Sequence, residues 1–339
     1  MFVLSKLRSA ALAGIAFVVL AAGAQAEPFR LIVTHLEPPL VPNSVMDLAV
    51  ELGYFEREGV DVELVRVQQT PSAIAAIRAG EGDMANVGLD ALLQLVARGT
   101  TDLKAVTSPN KSLPFLIAAK DAIATPADLE GASFGIGRPG SLDHSLSSSV
   151  LRAADVNLDE VEFLALGQPD VRAQALAAGR VDATTMSIGV WEALPEKTGL
   201  HVLVDQADYY TAAPVVNKIN IVPQAVLDER RDEVVAVTRA LIKISRDFAA
   251  DPARWVEAIT PFQPAIEAAT LDAIAASFDG SWSVNGGMNA EELTFSQNWL
   301  YDTEDFKDLP PVELSQWADL TVVEEALEGL GVDPAADAR

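Results

Sequence analysis

The stretch AAIRAGEGDMA, residues 75–85, is followed about a hundred residues later by a second version of the same pattern, AQALAAGRVDA, residues 173–183. Each version joins a helix of small residues to a glycine, then an aspartate, then the start of a strand. A unit that occurs only twice, at so long a spacing, does not predict a solenoid, which needs several short repeats. The pattern therefore predicts two similar lobes, each built from strands and helices.

The segments around the first version alternate between strand and helix patterns. Residues 29–34 predict a strand, and residues 60–67 alternate apolar with charged side chains as a half-buried strand does. A helix predicted from Thr70 ends at Gly80, and a short strand follows at residues 84–87. This order predicts a mainly parallel sheet that is covered by helices on both faces.

Two apolar segments, 113–119 and 213–216, mark the places where the chain crosses between the lobes. We predict three lobe segments: residues 27–113 of the first lobe, residues 114–216 of the second lobe, and residues 217–339 of the first lobe again. The helices of the last segment would pack onto the first lobe, and residues 225–249 are the clearest amphipathic stretch among them. Ligands of open α/β sheets bind outside the carboxyl ends of the strands, so we expect a ligand cleft between two lobes joined by a two-crossing hinge.

The first 26 residues have the pattern of a secretory signal peptide. Lys6 and Arg8 precede an apolar run over residues 10–22, and Ala24-Gln25-Ala26 fits a signal-peptidase site. We therefore expect a periplasmic protein. The sequence has no cysteine, which excludes disulfides, thiolate metal ligands and a lipid-modified N-terminal cysteine.

The charge balance limits the partners. Without residues 1–26 the chain keeps 22 basic against 49 acidic residues, a formal charge of −27. Nucleic acid and anionic membrane surfaces are unfavourable partners for such a protein. We expect a monomer that binds a small molecule.

A glycine pattern at residues 135–140, GIGRPG, matches the G-x-G-x-x-G fingerprint of dinucleotide sites. Its first glycine lies inside an apolar strand, and Pro139 interrupts the phosphate turn, so we predict no dinucleotide and no other cofactor. His35, His144 and His201 are too scattered to predict a metal site, and Ser141 with His144 lacks a third member of a hydrolase triad. We predict that the protein is not an enzyme.

Four segments resemble one protein family, and they occur in the family's order. They are LAVELGYFEREGVDVELV (residues 48–65), AIRAGEGDMANVG (76–88), TPADLEGASFGIGRPGS (125–141) and ALAAGRVDATTM (175–186). The chain is similar, over residues 29–250, to the periplasmic solute-binding proteins for nitrate, taurine and alkanesulfonates, the SsuA/THI5-like family. The resemblance implies a type II periplasmic binding fold and delivery of a small solute to the permease subunits of an ABC importer in the inner membrane. The related pyrimidine synthases carry a cysteine-rich motif that this chain lacks.

In the second lobe, three candidate ligand residues surround the turn after the strand at 133–136. Arg138 could pair with an anionic group or form a surface ion pair, and Ser141 could bind the ligand or only cap the following helix. His144 could donate to the ligand or face solvent. Met186, Trp191 and Tyr210 lie near the other strand ends, although Trp191 and Tyr210 could equally pack between the lobes.

In the first lobe, His35 and Glu37 follow the first strand, and Asn86 and Asp90 follow the strand of the repeat. The resemblance adds Asn110, because the family often contributes ligand contacts from this position. Acidic residues in these loops disfavour a plain oxyanion, because an uncompensated carboxylate next to an anion costs affinity.

The ligand prediction therefore stays open between several solutes. A sulfonate, nitrate or a taurine-like zwitterion fits, and a nitrogen heterocycle, such as a thiamine pyrimidine precursor, fits about as well. A sensor input protein with the same fold is the alternative to a transport component.

Overall fold

Two five-stranded sheets organise the residues described by the computed structural model, which are 27–110, 115–213 and 215–334. The strands of the first sheet are β1 (Phe29–Val33), β2 (Val62–Arg66), β3 (Met84–Gly88), β4 (Leu103–Asn110) and β10 (Lys218–Pro223). The strands of the second sheet are β5 (Phe115–Lys120), β6 (Ser133–Ile136), β7 (Glu162–Ala165), β8 (Ala183–Ser187) and β9 (Leu200–Val204).

The two sheets share one topology. The orders are β2-β1-β3-β10-β4 and β7-β6-β8-β5-β9. In each sheet the first three strands are parallel, and the fourth, β10 or β5, runs antiparallel to both of its neighbours. The prediction of two similar α/β lobes is confirmed. The exact limits at 113–114 and 216–217 stay a prediction, and the expected signal peptide lies outside the described residues.

Fifteen α-helices cover the sheets in the described part of the chain. Those before the return strand are α1 (Val45–Glu51), α2 (Tyr54–Arg57), α3 (Thr70–Arg78), α4 (Leu89–Ala97), α5 (Leu142–Ala153), α6 (Pro169–Ala177), α7 (Ile188–Glu192) and α8 (Gln206–Ala212). Those after it are α9 (Gln224–Glu229), α10 (Arg231–Ala250), α11 (Pro252–Ile259), α12 (Ala268–Ala276), α13 (Ala290–Tyr301), α14 (Leu314–Trp317) and α15 (Thr321–Leu327).

The repeated stretch has the same structural role in both lobes. Gly80 and Gly179 follow α3 and α6 with φ of 74° and 71°, a left-handed conformation that glycine adopts without strain. The repeated aspartates then accept a backbone N–H near the start of a neighbouring strand: Asp83 from Arg30 at 2.7 Å and Asp182 from Ser133 at 2.9 Å. These bonds fix β1 against β3 and β6 against β8.

The amphipathic stretch at residues 225–249 forms two helices, α9 and α10, with a break at Arg230. The backbone of Arg230 leaves the helical region (φ −130°, ψ 28°) between α9 and α10. Its guanidinium lies 3.1 Å from Asp83 and donates to Glu233. The break thus lets Arg230 neutralise the buried aspartate of the first lobe.

A continuous apolar core connects the lobes. It includes Leu92 of the first lobe, Val216 of the return crossing and Leu146 of the second lobe. Phe306, which follows α13, belongs to the same core, whereas the long helix α10 packs in a separate core under β1. The segment after Pro223 therefore contacts both lobes.

Replacement of the repeated aspartate of the second lobe tests this role. Asp182 accepts hydrogen bonds from Lys120 and Ser133, which lower its pKa to about 2. We expect Asp182→Ala to lose about 1.5–3 kcal/mol of unfolding free energy at neutral pH, as is typical of hydrogen bonds to charged groups. Because the folded pKa is depressed, this contribution is present above the unfolded value of 3.8 and is lost as the pH falls towards 2. Urea denaturation across this range measures the difference.

Asp159→Ala, which removes an exposed carboxylate from the same lobe, is the control. Equal urea midpoints for the two variants at neutral pH would contradict the role given to Asp182.

Candidate ligand-binding site

Residues that follow β3 in the first lobe and β6 in the second lie close enough for their charges to interact, and we call the space between them the cleft. Two contacts join the lobes. The Gln168 side chain donates to the carbonyl of Gln68 at 2.5 Å. Gly189 of α7 lies so close to the backbone of Leu40 that a side chain at this position would collide with it. The structure therefore shows the two lobes in contact around the cleft.

Asp90 is the buried acid of the first lobe. It lies in the first turn of α4, its residue is 5% exposed, and its carboxylate packs against Gly88 at the end of β3. Burial raises the pKa of Asp90 to about 6, and Asp143 of the second lobe adds to the rise. Arg138 and Lys218 oppose it, so groups from both lobes act on this carboxylate.

Lys218 is the buried base beside it. It is the first residue of β10, opposite Gly88 in the sheet, and its ammonium donates to the Thr34 hydroxyl at 2.7 Å. Burial lowers the pKa of Lys218 to about 8, while the charge of Asp90 raises it. An acid and a base therefore lie at one edge of the first sheet.

The second-lobe loop, residues 137–141, connects β6 to α5. Its donors are engaged by a carboxylate of its own lobe. Asp143 accepts the N–H of Gly137 at 2.7 Å, and the Ser141 hydroxyl lies 2.6 Å from the same carboxylate. Ser141 makes no side-chain cap on α5, so its hydroxyl holds Asp143 in place instead. Arg138 extends from this loop with its guanidinium outside ion-pair distance of every carboxylate in the described residues.

A second cation lies behind the loop. Arg172, 3% exposed, donates to the carbonyls of Gly167 and Thr185 and lies 3.6 Å from Asp143. The buried hydroxyl of Tyr209 is close enough to Asp143 and Arg172 for their charges to act on it. Asp143 is thus held by the loop on one side and by a buried guanidinium on the other.

His144 supports the loop from its own helix. Its Nδ1 accepts the N–H of Gly140 at 3.2 Å, and its ring packs on Phe163. Burial lowers the pKa of His144, although Asp305 and Asp143 oppose the shift. A neutral imidazole that accepts from Gly140 positions the loop.

Four other predicted residues have different surroundings. His35 bonds Asp47 at 2.7 Å, and Glu37 is exposed. Met186 and Trp191 pack in the apolar core of the second lobe, where Lys197 lies over the Trp191 ring.

Asn86, also predicted, is fully buried in a chain of amides. It accepts from Asn43 at 3.1 Å and donates to Asn220 at 2.8 Å. Asn110 ends β4 and Tyr210 lies in α8, but the side chains of both lie outside the described part of the chain.

The structure therefore brings together Asp90, Arg138 and Ser141 of the predicted set, and it adds three residues that sequence reasoning missed as site members. These are Asp143, Arg172 and Lys218. The sequence repeat contains an indication of Arg172. Arg172 lies seven residues before Gly179, whereas the residue seven positions before Gly80 is the buried Ala73. A charge at a core position of a repeated helix indicates a buried ion pair or a site.

Comparisons with known proteins agree with this architecture. The profile of the family described as NMT1/THI5 like matches residues 45–254. A Brucella abortus (strain 2308) protein, named provisionally as a binding protein, is 28% identical over 148 residues. That match covers 44% of this chain, which spans only 44% of the length of that relative.

Solved structures show the fold. The periplasmic aliphatic sulphonate binding protein SsuA from Escherichia coli has a TM-score of 0.69 at 18% identity, with 86% of this chain and 92% of that chain covered. The desulfurization enzyme DSZB has a TM-score of 0.60 at 16% identity, with 89% and 99% covered. The predicted periplasmic binding protein fold is confirmed.

Replacement of the buried acid tests the electrostatics of the site. Because the folded pKa of Asp90 is raised from 3.8 to about 6, its contribution to stability is full below 3.8 and is lost as the pH rises through 6. We expect unligated Asp90→Asn to be more stable than the parent by about 1–3 kcal/mol at slightly alkaline pH, with no gain in acid below the unfolded pKa. Thermal unfolding at both pH values measures this.

The exposed Asp61→Asn, in the same lobe, is the control and should leave stability unchanged at either pH. An Asp90→Asn protein that is less stable than the parent in slightly alkaline buffer would refute the burial argument.

Proposed function

This chain belongs to the NMT1/THI5-like family, and from that premise we propose that it is the solute-binding component of an ABC importer. It captures a small anionic or zwitterionic organic solute, of the sulfonate, taurine or nitrate type, by closure of its lobes. It then delivers the solute to a membrane permease. The expected signal peptide would place this activity in the periplasm.

One observation carries the proposal: charged groups from both lobes act on one buried carboxylate. Asp90 is influenced by Lys218 of its own sheet and by Arg138 and Asp143 across the cleft. A solute between the lobes can therefore contact both at once. Binding of the solute favours the closed arrangement of the lobes, because in the open arrangement the solute can contact only one lobe at a time.

The hinge geometry supports the same function. β4 ends at Asn110, opposite Lys218, the first residue of β10, so the chain leaves the first sheet and re-enters it at adjacent positions. Rotation about two adjacent crossings moves the strand ends of one sheet relative to those of the other without breaking either sheet. In the described residues, no helix is long and apolar enough to span a bilayer. The membrane permease would form the passage for the solute through the bilayer.

Arg138 is the cation that the solute's acidic group would meet. It lies on the second-lobe loop and has no ion pair with the described carboxylates, so its charge is available to a ligand. A guanidinium binds carboxylates and sulfonates in a bidentate geometry.

Removal of this guanidinium is the direct test. We expect Arg138→Ala to weaken binding of the best solute among taurine, ethanesulfonate and nitrate at least tenfold, or about 1.4 kcal/mol. Calorimetry gives Kd, and the rise in melting temperature with solute gives an independent measure. Arg180→Ala, which removes an exposed arginine from the same lobe, should bind as the parent does.

If Arg138→Ala and Arg180→Ala bound the solute with the same Kd, the assignment of Arg138 to the binding site would be contradicted. Mass spectrometry of the solute after incubation separates binding from catalysis: recovery of the unchanged solute is expected, and conversion to a product would favour an enzyme.

A further inference from the structure

We infer that Gly189 is a positioning residue for lobe closure: because it has no side chain, the second lobe can reach the backbone of Leu40 in the first lobe. A methyl group on residue 189 would hold the lobes apart, although the groups that face the solute would be unchanged. The inference rests on the proposed function and names the residue that limits closure in it.

The first step is the geometry of the contact between the lobes. Gly189 is buried in α7, directly after β8 of the second sheet, and Leu40 lies in the loop after β1 of the first sheet. A Cβ atom on residue 189 would be 2.2 Å from the Leu40 carbonyl oxygen and 2.8 Å from the Leu40 Cβ atom. Ordinary van der Waals contact begins at 3.4 Å, so the added carbon and the oxygen would have to move apart from 2.2 to 3.4 Å.

The second step is the rigidity of the first-lobe segment. The Pro38 carbonyl, two residues before Leu40, accepts a hydrogen bond from the side chain of Gln263 at 3.3 Å. The hydroxyl of the buried Ser44, four residues after Leu40, accepts the indole N–H of Trp255 at 2.9 Å. The Leu40 side chain packs against the apolar core under β1. The backbone of Leu40 is therefore fixed on both sides and does not yield to an added carbon.

The third step is the rigidity of α7, on the other side of the contact. The Ser187 hydroxyl caps this helix by accepting the N–H of Val190 at 3.3 Å. The Gly189 carbonyl accepts the N–H of Ala193 at 3.0 Å. Trp191, which is 9% exposed, anchors the helix in the apolar core of the second lobe. Since each segment is held within its own lobe, an added methyl group displaces one lobe from the other.

A displacement of this size weakens a site that two lobes share. Binding groups have to lie within about 0.5 Å of their productive positions, and the separation from 2.2 to 3.4 Å exceeds that tolerance. Arg138 and Lys218, which lie on different lobes, would then no longer hold the same solute. Lobes that stay open also release the solute sooner, so the change affects mainly the dissociation rate.

Gly189→Ala tests the inference. The φ of Gly189 is not left-handed, so alanine fits α7 itself and favours a helix more than glycine does. We expect the unligated variant to unfold at the urea concentration of the parent or above it. The Kd of the best solute among taurine, ethanesulfonate and nitrate should rise about tenfold or more, mainly through faster dissociation.

Ala177→Ser, which adds one heavy atom at an exposed position of α6 in the same lobe, is the control. This variant should match the parent in Kd and in dissociation rate. Gly189→Ser serves the same purpose as Gly189→Ala if the alanine variant does not fold.

A second measurement follows the lobes directly and does not depend on the solute. The chain has no cysteine, so Glu63→Cys and Glu162→Cys introduce one spin label at an exposed position of each outer strand, β2 and β7. Concentrated sucrose favours the arrangement with less exposed surface. We expect sucrose to shorten the distance between the labels in the parent protein and to shorten it less in Gly189→Ala.

The outcomes separate the two claims. A Gly189→Ala protein with the Kd and the dissociation rate of the parent overturns the inference while the proposed function stands. Equal shortening of the label distance in the two proteins overturns it as well. A parent protein that binds none of the three solutes contradicts the proposed function, and the label distances in sucrose then decide the role of Gly189 by themselves.

Discussion

The architecture depends on one interaction made twice: an aspartate at the start of a buried strand accepts a backbone N–H from the strand beside it. Asp83 and Asp182 make this bond in the first and second lobes. Each follows a glycine that ends a helix in the left-handed conformation. Both lobes are therefore aligned in the same way along their parallel strands. The antiparallel strands β10 and β5 then take the same fourth place in the two sheets.

The chemistry of the cleft follows from what is buried at those edges. Asp90 and Lys218 lie at the end of the first sheet, and Asp143 and Arg138 lie at the end of the second. Charges of this kind are costly in a low-dielectric gap unless they compensate each other or a ligand. Arg172 compensates Asp143 from behind the loop, while Arg138 and Lys218 both act on Asp90, so the cleft would present cations to the acidic group of a solute.

More of the fold than of the candidate site could be predicted from the sequence. The repeat and the strand patterns fixed two lobes, because helix ends and strand starts depend on local residues such as Gly80 and Gly179. The break at Arg230 could not be predicted, since its partner Asp83 is distant in sequence. Strand-end positions placed Asp90 and Arg138 at the cleft. The engagement of Asp143 with Gly137 depends on a side-chain conformation, which no pattern of residue types specifies.

The most direct test of the account is a crystal structure with a bound solute such as taurine or ethanesulfonate. The account predicts a solute held between the lobes, with its acidic group towards Arg138. A solute bound elsewhere would contradict it, for example in the cavity of about 140 Å³ between Ser283, Met288 and Leu327.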